Sequence, residues 1–134
     1  MSKHFGSIVA GSIALAATAA CGAMHPGTTP DRGPTTIVFQ NQSLEQADVF
    51  ALRRSAGALR IGTVMAGRTD TLTIHPGTIA PGETVDFAAR LLAKGSTPHS
   101  GPVAVSPGQW LTITLPQTEK ILSVLPGQPM GGGQ

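Results

Sequence analysis

The sequence predicts an all-β fold, a small immunoglobulin-like β-sandwich of about eight short antiparallel strands. Three observations carry that expectation. Apolar residues come in short runs punctuated by 17 Gly and 11 Pro, which suits strands and turns rather than long helices. Period-two alternation recurs along the chain, placing one face of each segment toward a core and the other toward water. Only 12% of residues are charged, whereas a disordered chain is normally poor in aliphatics and rich in net charge.

The clearest strands are those with strict alternation. Leu72 and Ile74 alternate with Thr71, Thr73 and His75. Val85, Phe87, Ala89 and Leu91 alternate with Thr84, Asp86, Ala88 and Arg90. Leu111, Ile113 and Leu115 alternate with Thr112 and Thr114. Less regular strands are expected over 36–41, 48–53, 59–65, 103–106 and 121–125. Between them, Ser55-Ala56-Gly57 and Ala66-Gly67 supply hairpin turns, while Pro81-Gly82 and Pro107-Gly108 suit type II turns. Residues 43–47 (Ser-Leu-Glu-Gln-Ala) are expected to form one helical turn capped by Ser43.

The folded unit is expected over 35–126, the size of one sandwich domain. Residues 1–20 read as a signal peptide: Lys3 and His4 give a positive start, and an uncharged apolar run follows from Phe5 to Ala20. Residues 21–34, with three prolines and no hydrophobic period, read as a flexible tether, and 127–134 as a disordered tail. Cys21 is the only cysteine, so no internal disulfide is possible and the core alone must hold the fold. With Lys3 removed, eight basic face seven acidic side chains, too small an excess for nucleic-acid binding.

The segment Leu15-Ala16-Ala17-Thr18-Ala19-Ala20-Cys21-Gly22 resembles the lipobox of bacterial lipoprotein precursors. It departs from that family at Thr18, where Leu is preferred. The resemblance implies cleavage before Cys21 and a diacylglycerol on its sulfur, with a further acyl chain giving the two signals that stable membrane attachment needs. Gly22, rather than an acidic residue, looks like the pattern for sorting to the outer membrane. The expected location is therefore the cell envelope, lipid-anchored, with plain secretion as the alternative. Ordinary cleavage would leave Cys21 an odd thiol, which lipidation explains.

Candidate sites are few. Arg53, Arg54, Arg60 and Arg68 fall in a stretch, 49–69, that lacks any acid. Were they to meet on one hairpin they would suit an anionic ligand, since guanidinium binds carboxylate and phosphate bidentately; otherwise they protect a strand edge from pairing. Trp110, the only tryptophan, is expected on the face opposite Leu111 and Ile113, either stacking a sugar or packing over a sandwich end. His25, His75 and His99 match no metal-ligand spacing, and no metal or cofactor is expected. Asp70, His75 and a serine make a triad only on paper, and Glu83 and Asp86 read as turn and surface groups. The expectation is a non-enzymatic envelope protein, structural or protein-interacting, with an anionic- or sugar-ligand module as the alternative.

Overall fold

The computed structural model describes residues 33–129. Eight strands form two four-stranded sheets: β1 (Thr35–Asn41), β2 (Ala47–Arg53), β3 (Gly57–Val64), β4 (Thr69–Ile74), β5 (Glu83–Leu91), β6 (His99–Val105), β7 (Trp110–Leu115) and β8 (Ser123–Pro126). One sheet has the order β4-β1-β7-β8 and the other β3-β2-β5-β6. The described residues contain no helix, so the all-β sandwich expected from alternation is the fold. The signal peptide, Cys21 and nearly all of the tether lie outside the described residues.

Alternation generates the core. Ile37 and Phe39 from β1, Val49 and Ala51 from β2, Val85, Phe87 and Leu91 from β5, and Leu111, Ile113 and Leu115 from β7 are all buried between the sheets. Leu72 and Ile74 of β4 and Val64 of β3 close one flank. Phe39 and Phe87 are the largest fully buried side chains, one from each sheet.

Three local features differ from expectation. The strand pairings are antiparallel in five of six cases, but β1 and β7 run parallel, Thr36 opposite Trp110 through Asn41 opposite Leu115. No hairpin joins these two strands, so turn geometry does not dictate their relative direction. Strand β6 begins at His99 rather than 103, although Gly101 and Pro102 read as breakers. An edge strand tolerates proline, and the Asp86 carboxylate accepts the Gly101 N–H (3.1 Å) across a bulge. Residues 43–47 form bends and a strand start rather than a helical turn. There the Ser43 hydroxyl accepts the Glu45 N–H (3.2 Å) locally, an alternative to helical pairing.

Successive strands alternate in direction along the sandwich. The first strand starts, and the last ends, at the end that also carries the β2–β3, β4–β5 and β6–β7 connections. This is the proximal end. The β1–β2, β3–β4, β5–β6 and β7–β8 connections occupy the other, distal end. Proline-led turns shape the proximal side: Gly82 and Gly108 sit at φ of 72° and 78°, the left-handed values that a type II turn requires. The N–H of Gly127 donates to the Trp110 carbonyl (2.8 Å), so pairing with β7 runs one residue past β8 into the segment expected to be a tail.

Candidate functional site

The distal end is organised around a buried amide. Asn41 closes β1 and is 2% exposed. Its Nδ2 donates to the carbonyls of Glu45 (2.8 Å), Val64 (3.1 Å) and Met65 (3.2 Å). Its Oδ1 accepts the Ser43 N–H (3.0 Å) and the Ser43 hydroxyl (2.7 Å). One side chain therefore ties the β1–β2 loop to the β3–β4 turn, using a residue type that both donates and accepts. Further links continue around the rim. Gly67 N–H donates to Ser43 O, Leu92 N–H to Gln46 O, and Leu122 N–H to His99 O. Lys94 pairs with Glu119 at 2.8 Å, joining the β5–β6 and β7–β8 connections. That hydrogen bond raises the Lys94 pKa above its ordinary value.

The tips of these four connections are apolar. Leu44 is 88% exposed, Met65 55%, Leu92 53% and Ile121 61%, one from each connection. They are four of the five large hydrophobic side chains that the described part of the molecule leaves exposed. Single exposed apolar residues are ordinary; here all four sit on connections at the same end of the sandwich. The same connections carry Arg68, Lys94 and Lys120 against Glu45 and Glu119, with Asp70 at the start of β4, a near-even balance of charge.

The four arginines in the acid-free stretch do not gather. Arg53 reaches the proximal β4–β5 loop, where its Nη1 donates to the Thr78 carbonyl at 2.6 Å. Arg54 is exposed at the β2–β3 hairpin, and Arg68 lies beyond the far end of β3 in the β3–β4 turn. Arg53 and Arg54 do line one groove, of about 370 Å³, but Asp86 lines it too, which weakens it as an anion site. Arg60 points from β3 onto the outer face of its sheet and pairs with Asp48 at 2.9 Å. Asp48 also receives Arg90 at 2.9 Å and the Thr63 hydroxyl at 2.7 Å. The Thr63 hydrogen bond, then those of Arg60 and Arg90, hold its carboxyl well below the usual range despite burial, which acts the other way. Arg90 also lies over the Phe50 ring, 5.4 Å from its centroid.

Other candidates separate likewise. Asp70 is the second residue of β4 and His75 follows its other end, so the paper triad does not assemble. His75 is proximal and His99 distal; His25 lies outside the described residues. Glu83 accepts the Ala80 N–H (2.9 Å) at the start of β5, while Asp86 accepts from His99 Nδ1 (3.0 Å) and from Gly101. No group of three or more metal-ligating side chains occurs among the described residues. The described residues contain no helix long and apolar enough to cross a membrane. Trp110 stands half-buried at the start of β7, on the outer face of its sheet as alternation predicts.

Sequence reasoning missed Asn41 and the Asp48–Arg90 pair. Part of the signal existed for Arg90, at a polar position of the alternating β5; only the β2–β5 register makes Asp48 its direct partner. Compared with known proteins, the chain matches no family model and no curated sequence.

Proposed function

We propose that this is a lipid-anchored bacterial envelope protein whose sandwich acts as a protein-interaction module, gripping a partner protein with its distal loop rim. The observation that carries the reading is the placement of Leu44, Met65, Leu92 and Ile121 on four hydrogen-bonded connections at one end. Apolar anchors ringed by mixed charge are the composition of a protein contact, with its apolar centre and polar rim. The near-even charge balance argues for a protein surface over anionic lipid head groups, which call for a basic excess. The Cys21 anchor rests on the lipobox resemblance. Thr35, where the first strand begins, lies at the proximal end, opposite the rim. Thirteen tether residues reach at most about 45 Å.

The test places a photo-crosslinking residue at Leu44, Leu92 and Ile121 in the full chain, and at Ala58 on the outer face of β3 as a control. Crosslinking in cells should give one shared product from the three rim positions and none from Ala58. Leu44→Asp should abolish the product formed from Ile121. A product formed equally from Ala58, or none from any rim position, overturns the interaction reading. In parallel, Cys21→Ser should release the protein from the membrane fraction; retention there overturns the anchor.

A further inference from the structure

The fifth exposed hydrophobic, Leu125 at 59%, belongs to a different surface. With Ile37, Phe39, Leu72, Ile74, Leu111 and Ile113 turned into the core, the alternate residues of β4, β1, β7 and β8 form the outer face of that sheet. The registers set these side chains in rows. The first row, nearest the proximal end, is Thr73, Thr36 and Trp110, continued by Gly127. The second is Thr71, Val38, Thr112 and Leu125. The third is Thr69, Gln40, Thr114 and Ser123.

No side chain in these rows carries a charge. Strands about 4.8 Å apart and rows about 6.7 Å apart make the patch roughly 14 Å by 13 Å. Six threonines, one serine and one glutamine supply hydroxyl and amide groups that both donate and accept. Among the described residues, the only hydrogen bond between side chains within the patch is Thr114 Oγ1 to Gln40 Oε1 at 3.2 Å. Gly127 leaves no side chain beside Trp110; a Cβ there would lie 3.2 Å from the Trp110 and Leu111 backbone. The outer face of the other sheet is built differently, with Asp48, Arg60, Asp86 and Arg90.

We infer that this face binds a neutral polysaccharide strand, laid across the threonine rows with one sugar ring against Trp110. The chemistry singles out that ligand class. An anionic polymer finds no cation here, and a cationic one finds no acid. A protein partner would want an apolar centre, but here Val38, Trp110 and Leu125 are interspersed with hydroxyls. A neutral sugar matches the face: its C–H surface covers an indole while its hydroxyls exchange hydrogen bonds with threonine. The face is on the side of the sandwich rather than at the distal rim, so the inference stands independently of the proposed partner.

Trp110 is the only tryptophan and the chain has no tyrosine, so intrinsic emission reports this face alone. The experiment titrates the detergent-solubilised full chain with cello- and chito-oligosaccharides and sediments it with insoluble cellulose and chitin. The expected result is a saturable shift in Trp110 emission that added salt leaves unchanged, since no charge takes part. Trp110→Ala should weaken sedimentation about tenfold, a stacking-sized loss. Thr112→Glu should abolish both signals, while Ala58→Glu on the opposite face retains them. Should Thr112→Glu fail to fold, Thr71→Glu on edge strand β4 takes its place. An emission maximum unmoved by every oligosaccharide, binding that survives the glutamate variant, or a photo-crosslinker at Thr112 that captures a protein instead overturns the inference.

Discussion

Removing the Asn41 side chain tests the claim that one amide organises the distal end. In Asn41→Ala the carbonyls of Glu45, Val64 and Met65 lose their shared donor, and the Ser43 N–H and hydroxyl lose their acceptor. The amide has two hydrogens for three carbonyls, so its bonds count as two donated and two accepted. At about 1 kcal/mol net each, with some water reaching the opened loop, the expected loss is about 3 kcal/mol. That is a large share of the roughly 5–15 kcal/mol typical of a domain. Urea denaturation of wild type and variant should show the midpoint falling with an unchanged m-value. A loss under about 1 kcal/mol would refute the reasoning. Asn41→Asp sharpens the test. An ionised carboxylate has no proton for those three carbonyls, so folding raises its pKa above the unfolded value of about 3.9. The folded state then binds the proton more tightly. That variant should be most stable below about pH 4 and lose stability as the pH rises through the folded value. Stability flat across that range would also count against the assignment.

Substitutions at two further positions probe the rest of the sandwich. Asp48 gives the opposite sign of pH dependence: its carboxyl is held low by Thr63, Arg60 and Arg90, so its contribution is present above about pH 4 and declines as the pH falls toward the folded value. Asp48→Asn should flatten that acid limb in denaturation curves and cost about 1–2 kcal/mol at pH 7, a modest figure because both guanidiniums remain half-exposed. Gly62→Val should cost about 2 kcal/mol by the same assay, because even a Cβ at that position would lie 2.6 Å from Leu72 Cδ2. Gly62→Ala should cost less, since the Leu72 tip can rotate away and alanine narrows the unfolded ensemble.

What the sequence displays and what it conceals follow from the range of the interactions. Strands β4, β5 and β7 were legible because alternation is local and the core face of each is nearly pure aliphatic. Pro81-Gly82 and Pro107-Gly108 were legible for the same reason. The start of β6 was concealed because Ser100, Gly101 and Pro102 are poor strand residues, held there by Asp86 from the neighbouring strand. The parallel pairing of β1 with β7 was concealed as well, since it joins segments more than 70 residues apart and no turn encodes it. The arginines of 49–69 look alike in sequence. Their fates diverge through the carboxylate that Asp48 presents and the carbonyl of Thr78, both supplied from outside that stretch. The apolar rim was illegible because an exposed leucine in a loop has no period to betray it; only the topology shows four such tips at one end.

That topology has a geometric consequence arising from parity. Strands that alternate in direction return the chain to its starting end only when their number is even. With eight, Thr35 and Pro126 both lie at the proximal end, and four connections face away. A ninth strand would carry one end of the sandwich to the rim. The even count therefore sets both ends of the described sandwich opposite the apolar tips. The Asn41 network adds a second condition. It holds the backbone of the β1–β2 and β3–β4 connections, which carry Leu44 and Met65, through bonds that their side chains do not make. The apolar side chains of the rim are left exposed, which is what the proposed partner contact would use.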